Sequence, residues 1–218
     1  MSVAALKQVP YDPSVFLNVE TFEEARDVIV TPFGKFSPQH RWDTETPYLI
    51  ELIKPWLRPE NLVLDYGCGI GRLAKPLIEN HQCYVVGIDI SPNMRALAAS
   101  CVNSDRFVAM PPELFWRLNG HLWACDFALA IWTLQHVLQL PEAIRNIEAA
   151  LVSGGKLFVV NDAKARYVPV AGGWIDDGID VRLVLKDHFT EIENGQLEGD
   201  EIAPGVFRQN NFWAVYQK

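Results

Sequence analysis

The residues best suited to hold a ligand are Asp65-Tyr66-Gly67-Cys68-Gly69-Ile70-Gly71-Arg72, which follow the apolar run Leu62-Val63-Leu64 and precede a helix-like stretch to Glu79. Glycines let a backbone turn tightly and approach a ligand closely, and the helix that follows offers N–H groups with no intrahelical partner. A glycine loop alone is weak evidence. Here a second apolar run, Cys83 to Ile88, ends at Asp89, eighteen residues beyond Gly71, where a carboxylate can accept from both hydroxyls of a ribose. The pattern therefore points to a nucleoside ligand. A nicotinamide dinucleotide loop, G-x-G-x-x-G counted from Gly67, needs glycine where Arg72 stands. Asp65, directly ahead of the loop, suits a ligand with a cationic amino-acid end better than a pyrophosphate. A bare strand-to-helix turn and a helix-capping Asp89 are the plainer readings of the same residues. Arg72 reads as a surface or carboxylate-pairing residue.

A second group lies further along. In open α/β sheets the reacting groups collect beyond the carboxyl ends of the strands, which directs attention to Trp132 through His136 and to Asn161-Asp162. His136 is the candidate general base, since an imidazole ordinarily titrates near neutrality; packing or capping by the same ring is the alternative. Between Arg166 and Asp180, Tyr167, Trp174, paired glycines and three acidic residues compose either a cover over a substrate or a plain surface loop. Arg41, Trp42 and Tyr48, ahead of the first strand, are candidates for the opposite wall, with core packing the competing reading for Trp42.

The elements that must position these residues alternate. After the strands at 62–64 and 83–88, Pro92 to Val102 reads as a helix capped by Ser91 with proline at its first position. Phe107-Val108-Ala109 and Phe127 to Ile131 read as a third and a fourth strand. Pro141 to Leu151 carries Ile144, Ile147 and Leu151 on one helical face, and Leu157 to Val160 follows the Gly154-Gly155 turn as a fifth strand. Upstream, Thr46-Pro47 reads as a helix start leading into the first strand. Downstream, Phe189 to Ile192 and Phe212 to Tyr216 form a closing antiparallel hairpin. This is a Rossmann-like, doubly wound, seven-stranded α/β sheet, mostly parallel, with an N-terminal helical attachment over residues 1–58.

Composition narrows the function classes. The 218 residues carry a formal charge of −8 with no cluster of Lys and Arg, which argues against general nucleic-acid binding. The apolar run Phe127 to Trp132 is far too short for a membrane span, and Met1 to Pro10 lacks the apolar stretch of a signal peptide, so a cytoplasmic protein is expected. Cys68, Cys83, Cys101 and Cys125 lack the C-x-x-C spacing of a zinc site, so no metal is expected.

These motifs together resemble the class I S-adenosylmethionine-dependent methyltransferases, whose loop reads D/E-x-G-x-G-x-G. The likeness extends through Val86-Gly87-Ile88-Asp89-Ile90-Ser91-Pro92, Ala130 to Val137 with its ending Leu134-Gln135-His136-Val137, and Leu151-Val152-Ser153-Gly154-Gly155-Lys156-Leu157, in family order. It implies one methyltransferase domain over 1–218, with S-adenosyl-L-methionine as cofactor and a small molecule as methyl acceptor at O or N. It further implies that Asp65, Gly67, Cys68 and Gly69 hold the methionine part, that Asp89 holds the ribose, that Ile90 and Met110 flank the adenine, and that Trp132 belongs to the same site. The sequence departs from the family pattern after the third strand, where Met110-Pro111-Pro112 replaces the frequent acidic residue. An N/D-P-P-Y/F motif, expected of a DNA amino-methylating enzyme, is missing at Ala130-Ile131-Trp132-Thr133. A cofactor-binding accessory subunit and a nicotinamide-dependent oxidoreductase remain as alternative functions.

Overall fold

The computed structural model describes residues 6–7 (backbone only), 12–32, 34–118, 123–163, 166–171, 173–199, 201–202 and 210–218. Its main sheet contains β2 (Leu62–Tyr66), β3 (Tyr84–Ile88), β4 (Phe107–Met110), β5 (Cys125–Ile131), β6 (Leu151–Asp162), β9 (Thr190–Gly195) and β10 (Asn211–Gln217). The order across it is β4-β3-β2-β5-β6-β10-β9. β2 through β6 pair in parallel, and β10 runs antiparallel to both β6 and β9, so the expected C-terminal hairpin is present. The strand order reverses direction beside β2. The glycine loop leaves β2 at that switch point, where open α/β sheets leave a crevice for ligands.

Two apolar layers sandwich the sheet. Successive strand residues point to opposite faces, and the sequence is apolar at both. Val63, Val85, Phe127, Leu129, Phe158 and Val160 pack with α2 (Pro38–Ile53) and α3 (Ala74–His81). Leu64, Val86, Ile88, Ala128, Ala130 and Val159 pack with α5 (Pro112–Leu118), α6 (Leu140–Ala150) and α7 (Val181–Lys186). α4 (Pro92–Val102) follows β3 and is capped by Ser91, whose hydroxyl accepts from Met94 N at 3.2 Å. That cap fixes the turn carrying Asp89. Among the described residues no helix is long and apolar enough to cross a membrane, and no cluster of side chains could hold a metal ion.

Four departures from the sequence reading concern the elements around the site. Helix α2 begins at Pro38 and not at Thr46-Pro47, because Ser37 caps it through His40 N at 3.2 Å and Pro38 occupies its first turn. Pro47 lies inside that helix on an exposed face, where water can satisfy the carbonyl that its missing N–H leaves behind. β6 begins six residues early, at Leu151, since the Gly154-Gly155 turn is absorbed as an irregularity in its pairing with β5 between Cys125 and Phe127. The segment beyond Arg166 is a hairpin, β7 (Val168–Val170) and β8 (Gly173–Ile175), joined by β1 (Leu6–Lys7) in a separate three-stranded antiparallel sheet. α1 (Phe22–Ile29), which sequence periodicity did not disclose, starts at a capping box in which Thr21 and Glu24 exchange hydrogen bonds.

Candidate active site

After Tyr66 the chain turns through left-handed conformations at Gly67, Gly69 and Gly71, with φ of 88°, 51° and 78°. The N–H groups of Gly67 and Cys68 both reach Ile88 O, at 2.7 and 3.0 Å, and tie the loop to the end of β3. Gly67 is required twice over. Its φ disfavours any side chain, and a Cβ there would stand 2.1 Å from Thr133 Oγ1. Ile29 of α1 covers the loop at Gly69, where a Cβ would meet its Cδ1 at 2.6 Å. Cys68 turns its thiol away beneath the loop toward Gly87, and burial pushes that thiol well above its ordinary pKa.

Asp89 anchors the loop from the other side. Its Oδ2 accepts from Gly69 N and its Oδ1 from Ser91 N, both at 2.9 Å. A carboxylate offers about four lone-pair directions, so both oxygens retain capacity for hydroxyl donors. Beside it Ile90 is 63% exposed, an apolar surface open to a ring. Met110 is different: its side chain is buried in the core with Phe115, and its carbonyl accepts from Asp89 N at 3.3 Å, so in this conformation it supports the site from behind.

Asp65 is 4% exposed. Burial first, and then the charge of Asp89, pushes its pKa up to about 7. Among the described residues its carboxyl receives no hydrogen bond from another protein group. A buried carboxylate without a partner costs free energy that a cationic ligand would offset.

Beneath the loop lies a buried ionic cluster. Glu45 of α2 receives Arg41 Nη2 at 2.8 Å, Arg72 Nη1 at 3.3 Å and the Trp132 indole N–H at 3.4 Å. Arg72 also donates to Thr46 Oγ1 at 2.8 Å and lies over the Trp42 ring, 5.4 Å from its centroid. Arg72 is thus the carboxylate-pairing residue. The expected role of Arg41 and Trp42 as a substrate wall does not fit this arrangement. Arg41 directs its guanidinium inward to Glu45 and Thr31 O, and Trp42 packs edge-on against Phe22 beneath α1. Desolvation explains the difference: an interior guanidinium must be paired, and Glu45, one helical turn along, faces it. Tyr48 is likewise packed, its hydroxyl accepting from Glu198 N at 3.2 Å.

Beyond β5 the chain passes through Trp132, a non-glycine residue at φ 56°, whose N–H reaches Val160 O at 2.7 Å. The next turn carries His136 into an aromatic group made by Phe16, Tyr167 and Trp174, with ring centroids 6.0, 6.1 and 5.1 Å from the imidazole. Burial is the main cause that lowers the His136 pKa to about 4, with the nearby Arg166 charge adding to it. The ring is therefore neutral at physiological pH. Its Nδ1 lies 2.8 Å from Tyr167 O and its Nε2 lies 3.1 Å from Gln135 Nε2. A cavity of about 450 Å³, lined in part by Asp162, Arg166, Asp176, Arg182 and Phe212, lies at the end of β6; its lining includes neither the glycine loop nor the His136, Tyr167 and Trp174 rings.

The structure brings His136 together with Tyr167 and Trp174 from two sequence regions, and it sets Gly67 against the Trp132-Thr133 turn. Sequence reasoning missed Phe16 and Glu45, and it gave Gln135, inside the Trp132–His136 stretch, no role of its own. Only the Asp12-Pro13 cap signal marks the turn that presents Phe16, with Asp12 Oδ1 accepting from Ser14 N at 2.9 Å. Nothing in the sequence marks Glu45 or Gln135 as other than ordinary polar residues.

A family profile described as a methyltransferase domain matches residues 37–190. The phosphoethanolamine N-methyltransferase 1 of Arabidopsis thaliana is 31% identical over 121 residues, covering 53% of this chain and 24% of the plant protein. The match therefore spans about a quarter of that relative's length. Among solved structures, the N-methyltransferase NodS from Bradyrhizobium japonicum, in complex with S-adenosyl-l-homocysteine, superposes with TM-score 0.60 at 18% identity, covering 81% of this chain and 86% of NodS. The [4+2]-cyclase SpnF gives TM-score 0.61 at 19% identity, covering 78% and 80%. At these identities the likenesses show the fold.

Two stability measurements check the geometry. Gly67→Ala is expected to lose at least about 1–2 kcal/mol from the left-handed backbone alone, before the Thr133 contact is counted; an unchanged urea midpoint would contradict the drawn turn. For Asp65 the folded pKa is raised, so the ligand-free protein should lose stability as pH rises from about 4 to about 7 through this group. Asp65→Asn should consequently be more stable than the wild type at pH 8, by on the order of a few kcal/mol, with the advantage shrinking toward pH 4. Equal differences at both pH values would mean that the carboxyl is not desolvated.

Proposed function

The chain belongs to the methyltransferase-domain family, and from that membership we propose that it binds S-adenosyl-L-methionine at the Asp65–Gly71 loop and Asp89 and methylates a nitrogen or oxygen of a small molecule. The observation that carries this reading is the buried Asp65 carboxyl, unpartnered among the described residues, beside a glycine loop whose partner Asp89 keeps lone pairs for a ribose. A cofactor with a cationic amino-acid end and a ribose satisfies both carboxylates. The loop glycines allow its close approach, and exposed Ile90 offers an apolar face for the adenine.

When bound, S-adenosylmethionine supplies a methyl group already activated by sulfonium. What remains for the protein is to align the acceptor and exclude water, and such positioning accounts for much of the acceleration in a bimolecular displacement. Phe16, Tyr167 and Trp174 around His136 are candidates for the acceptor wall, and the neighbouring cavity is the candidate entry. His136 is the proposed acceptor, through its Nε2 lone pair, of the proton that a hydroxyl loses as it attacks or that an ammonium gives up before its nitrogen attacks. A base with pKa near 4 is weak, so its contribution is to place the proton and not to pull it strongly. Matches to phosphoethanolamine N-methyltransferases favour a small amine as acceptor.

The second reading is an accessory subunit that binds the cofactor without transferring its methyl group; the fold itself, shared with the [4+2]-cyclase SpnF, does not decide between them. Turnover of labelled S-adenosylmethionine with a panel of small amines and alcohols separates the two readings.

Cofactor affinity provides the main test. Because Asp65 must be ionised to pair with an ammonium, S-adenosylhomocysteine should bind more tightly as pH rises from 5 to 8, and calorimetry at pH 6 should register proton release. Asp65→Asn should remove both effects; pH-independent binding in the wild type would contradict the pairing. Asp89→Ala should weaken binding by about 1.5–3 kcal/mol, the value of charge-assisted hydrogen bonds, and unchanged affinity in a folded variant would move the ribose elsewhere. His136→Ala should lower turnover about 10²–10⁴-fold with cofactor affinity retained, and at saturating cofactor the wild-type rate should lose the His136 contribution as pH drops through about 4, where the lone pair is protonated. Joint loss of stability and cofactor binding would instead make His136 a packing residue.

A further inference from the structure

Two backbone groups that cannot change their hydrogen-bonding roles determine the state of His136. Asp162 N can only donate, and it lies 2.8 Å from Gln135 Oε1. This fixes the orientation of the Gln135 amide, which must turn its NH₂ toward His136 Nε2, 3.1 Å away. Tyr167 O can only accept, and it lies 2.8 Å from His136 Nδ1. The imidazole must therefore carry its proton on Nδ1 and its lone pair on Nε2, and that lone pair already receives a Gln135 N–H. The main chain of Gln135 is held as firmly as its side chain, since its N–H donates to Asn161 Oδ1 at 3.0 Å and its carbonyl accepts from Tyr167 N at 2.9 Å. Gln135 and Asn161 are both buried.

We propose that Gln135 is a positioning residue for His136: Tyr167 O sets the tautomer, and the Gln135 amide caps the reactive nitrogen until a proton donor on the acceptor displaces it. The proposal rests on the reading of His136 as the base and adds a residue that controls it. The cap has a chemical consequence. An N–H given to a lone pair stabilises the neutral ring and opposes protonation, and it withholds the lone pair from water when no acceptor is bound. A donor such as a hydroxyl or ammonium can take the place of the amide, whereas a group without a proton to give cannot. The site would thus favour acceptors that still carry the proton to be removed.

Among the described residues, the groups facing the ring from each packed element are few. Phe16, from the 3₁₀ turn Pro13–Phe16, and Trp174, from β8, present uncharged rings. The segment before β7 contributes the Tyr167 phenol and Arg166, whose guanidinium donates to Val137 O and pairs with Asp177 at 2.7 Å. Asp176 accepts from Arg166 N at 3.4 Å. β6 contributes Asp162, which reaches the ring through Gln135 and lies 3.5 Å from the Tyr167 hydroxyl. Arg166, like the amide, disfavours a charged imidazole.

Nitrogen-15 NMR of the ring over pH 3.5–8, on the intact chain, tests the assignment with and without substitution. Wild-type His136 should show the Nδ1–H tautomer and remain neutral to about pH 4. In Gln135→Glu a carboxylate oxygen faces Nε2 and can only accept, so the titration should move up by more than one pH unit. Gln135→Met, which has no donor to offer, should move it up less and leave the tautomer with Tyr167 O. An Nε2–H tautomer in the wild type, or one titration shared by wild type and Gln135→Glu, would overturn the proposal. Where Gln135→Glu fails to fold, Gln135→Met decides the matter: a titration that coincides with that of the wild type would overturn the proposal. S-adenosylhomocysteine binding, measured on the same samples, is expected to be unchanged by the substitutions. Absence of binding in the wild type would remove the methyltransferase reading while leaving the Gln135–His136 assignment to be judged on its own spectra.

Discussion

The desolvated carboxyl of Asp65 is the constraint around which the rest of the site is arranged. A carboxylate buried at the end of a central strand, with a second carboxylate at the end of the neighbouring strand, is unfavourable in the ligand-free protein. Its burial and raised pKa record that cost. The two apolar layers over β2, β3 and β5 hold it in place, because successive residues of these strands are fixed on opposite faces by tight packing. In our account the cost is recovered when a cationic amino-acid end enters the loop, so stability and affinity are traded at one residue.

The loop is secured by contacts that reach it from distant parts of the chain. Thr133 closes over Gly67, Ile29 over Gly69, and the ionic cluster of Arg41, Glu45 and Arg72 links α2 to the exit of the loop and to the Trp132 indole. Replacing one member of such a cluster leaves an unpaired buried charge, so its residues should resist substitution although none of them is proposed to touch the acceptor. The same device recurs on the acceptor side with neutral groups. There main-chain donors and acceptors of fixed sense impose one orientation on Gln135 and one tautomer on His136.

The central half of the fold was readable from sequence because each strand from β2 to β5 is a short apolar run and the elements between them carry visible punctuation. Ser91-Pro92 marked the start of α4 to the residue. The glycine loop and Asp89 were readable for a similar reason: glycine at left-handed positions and a carboxylate at a strand end are chemistry that residue type alone reveals. Pro47 misled, since proline marks a helix start only where no earlier cap competes, and Ser37 does compete. Trp42 and Arg41 misled because aromatic and charged residues near a site look alike whether they face a ligand or each other. Gln135 lay inside the Trp132–His136 stretch with nothing to mark its role, and Phe16 could not be found at all. Their importance comes from contacts across 27 residues to Asp162 and across more than a hundred to His136, which no local pattern encodes.

The most direct test of the central claim is a crystal structure of the protein with S-adenosylhomocysteine. The account predicts the ligand's ammonium within hydrogen-bond reach of Asp65, its ribose hydroxyls on Asp89 and its adenine against Ile90, with the thioether directed toward the Trp132–His136 turn. Density for the ligand elsewhere, such as in the cavity beside Asp162 and Arg182, or an ammonium directed away from Asp65, would contradict it.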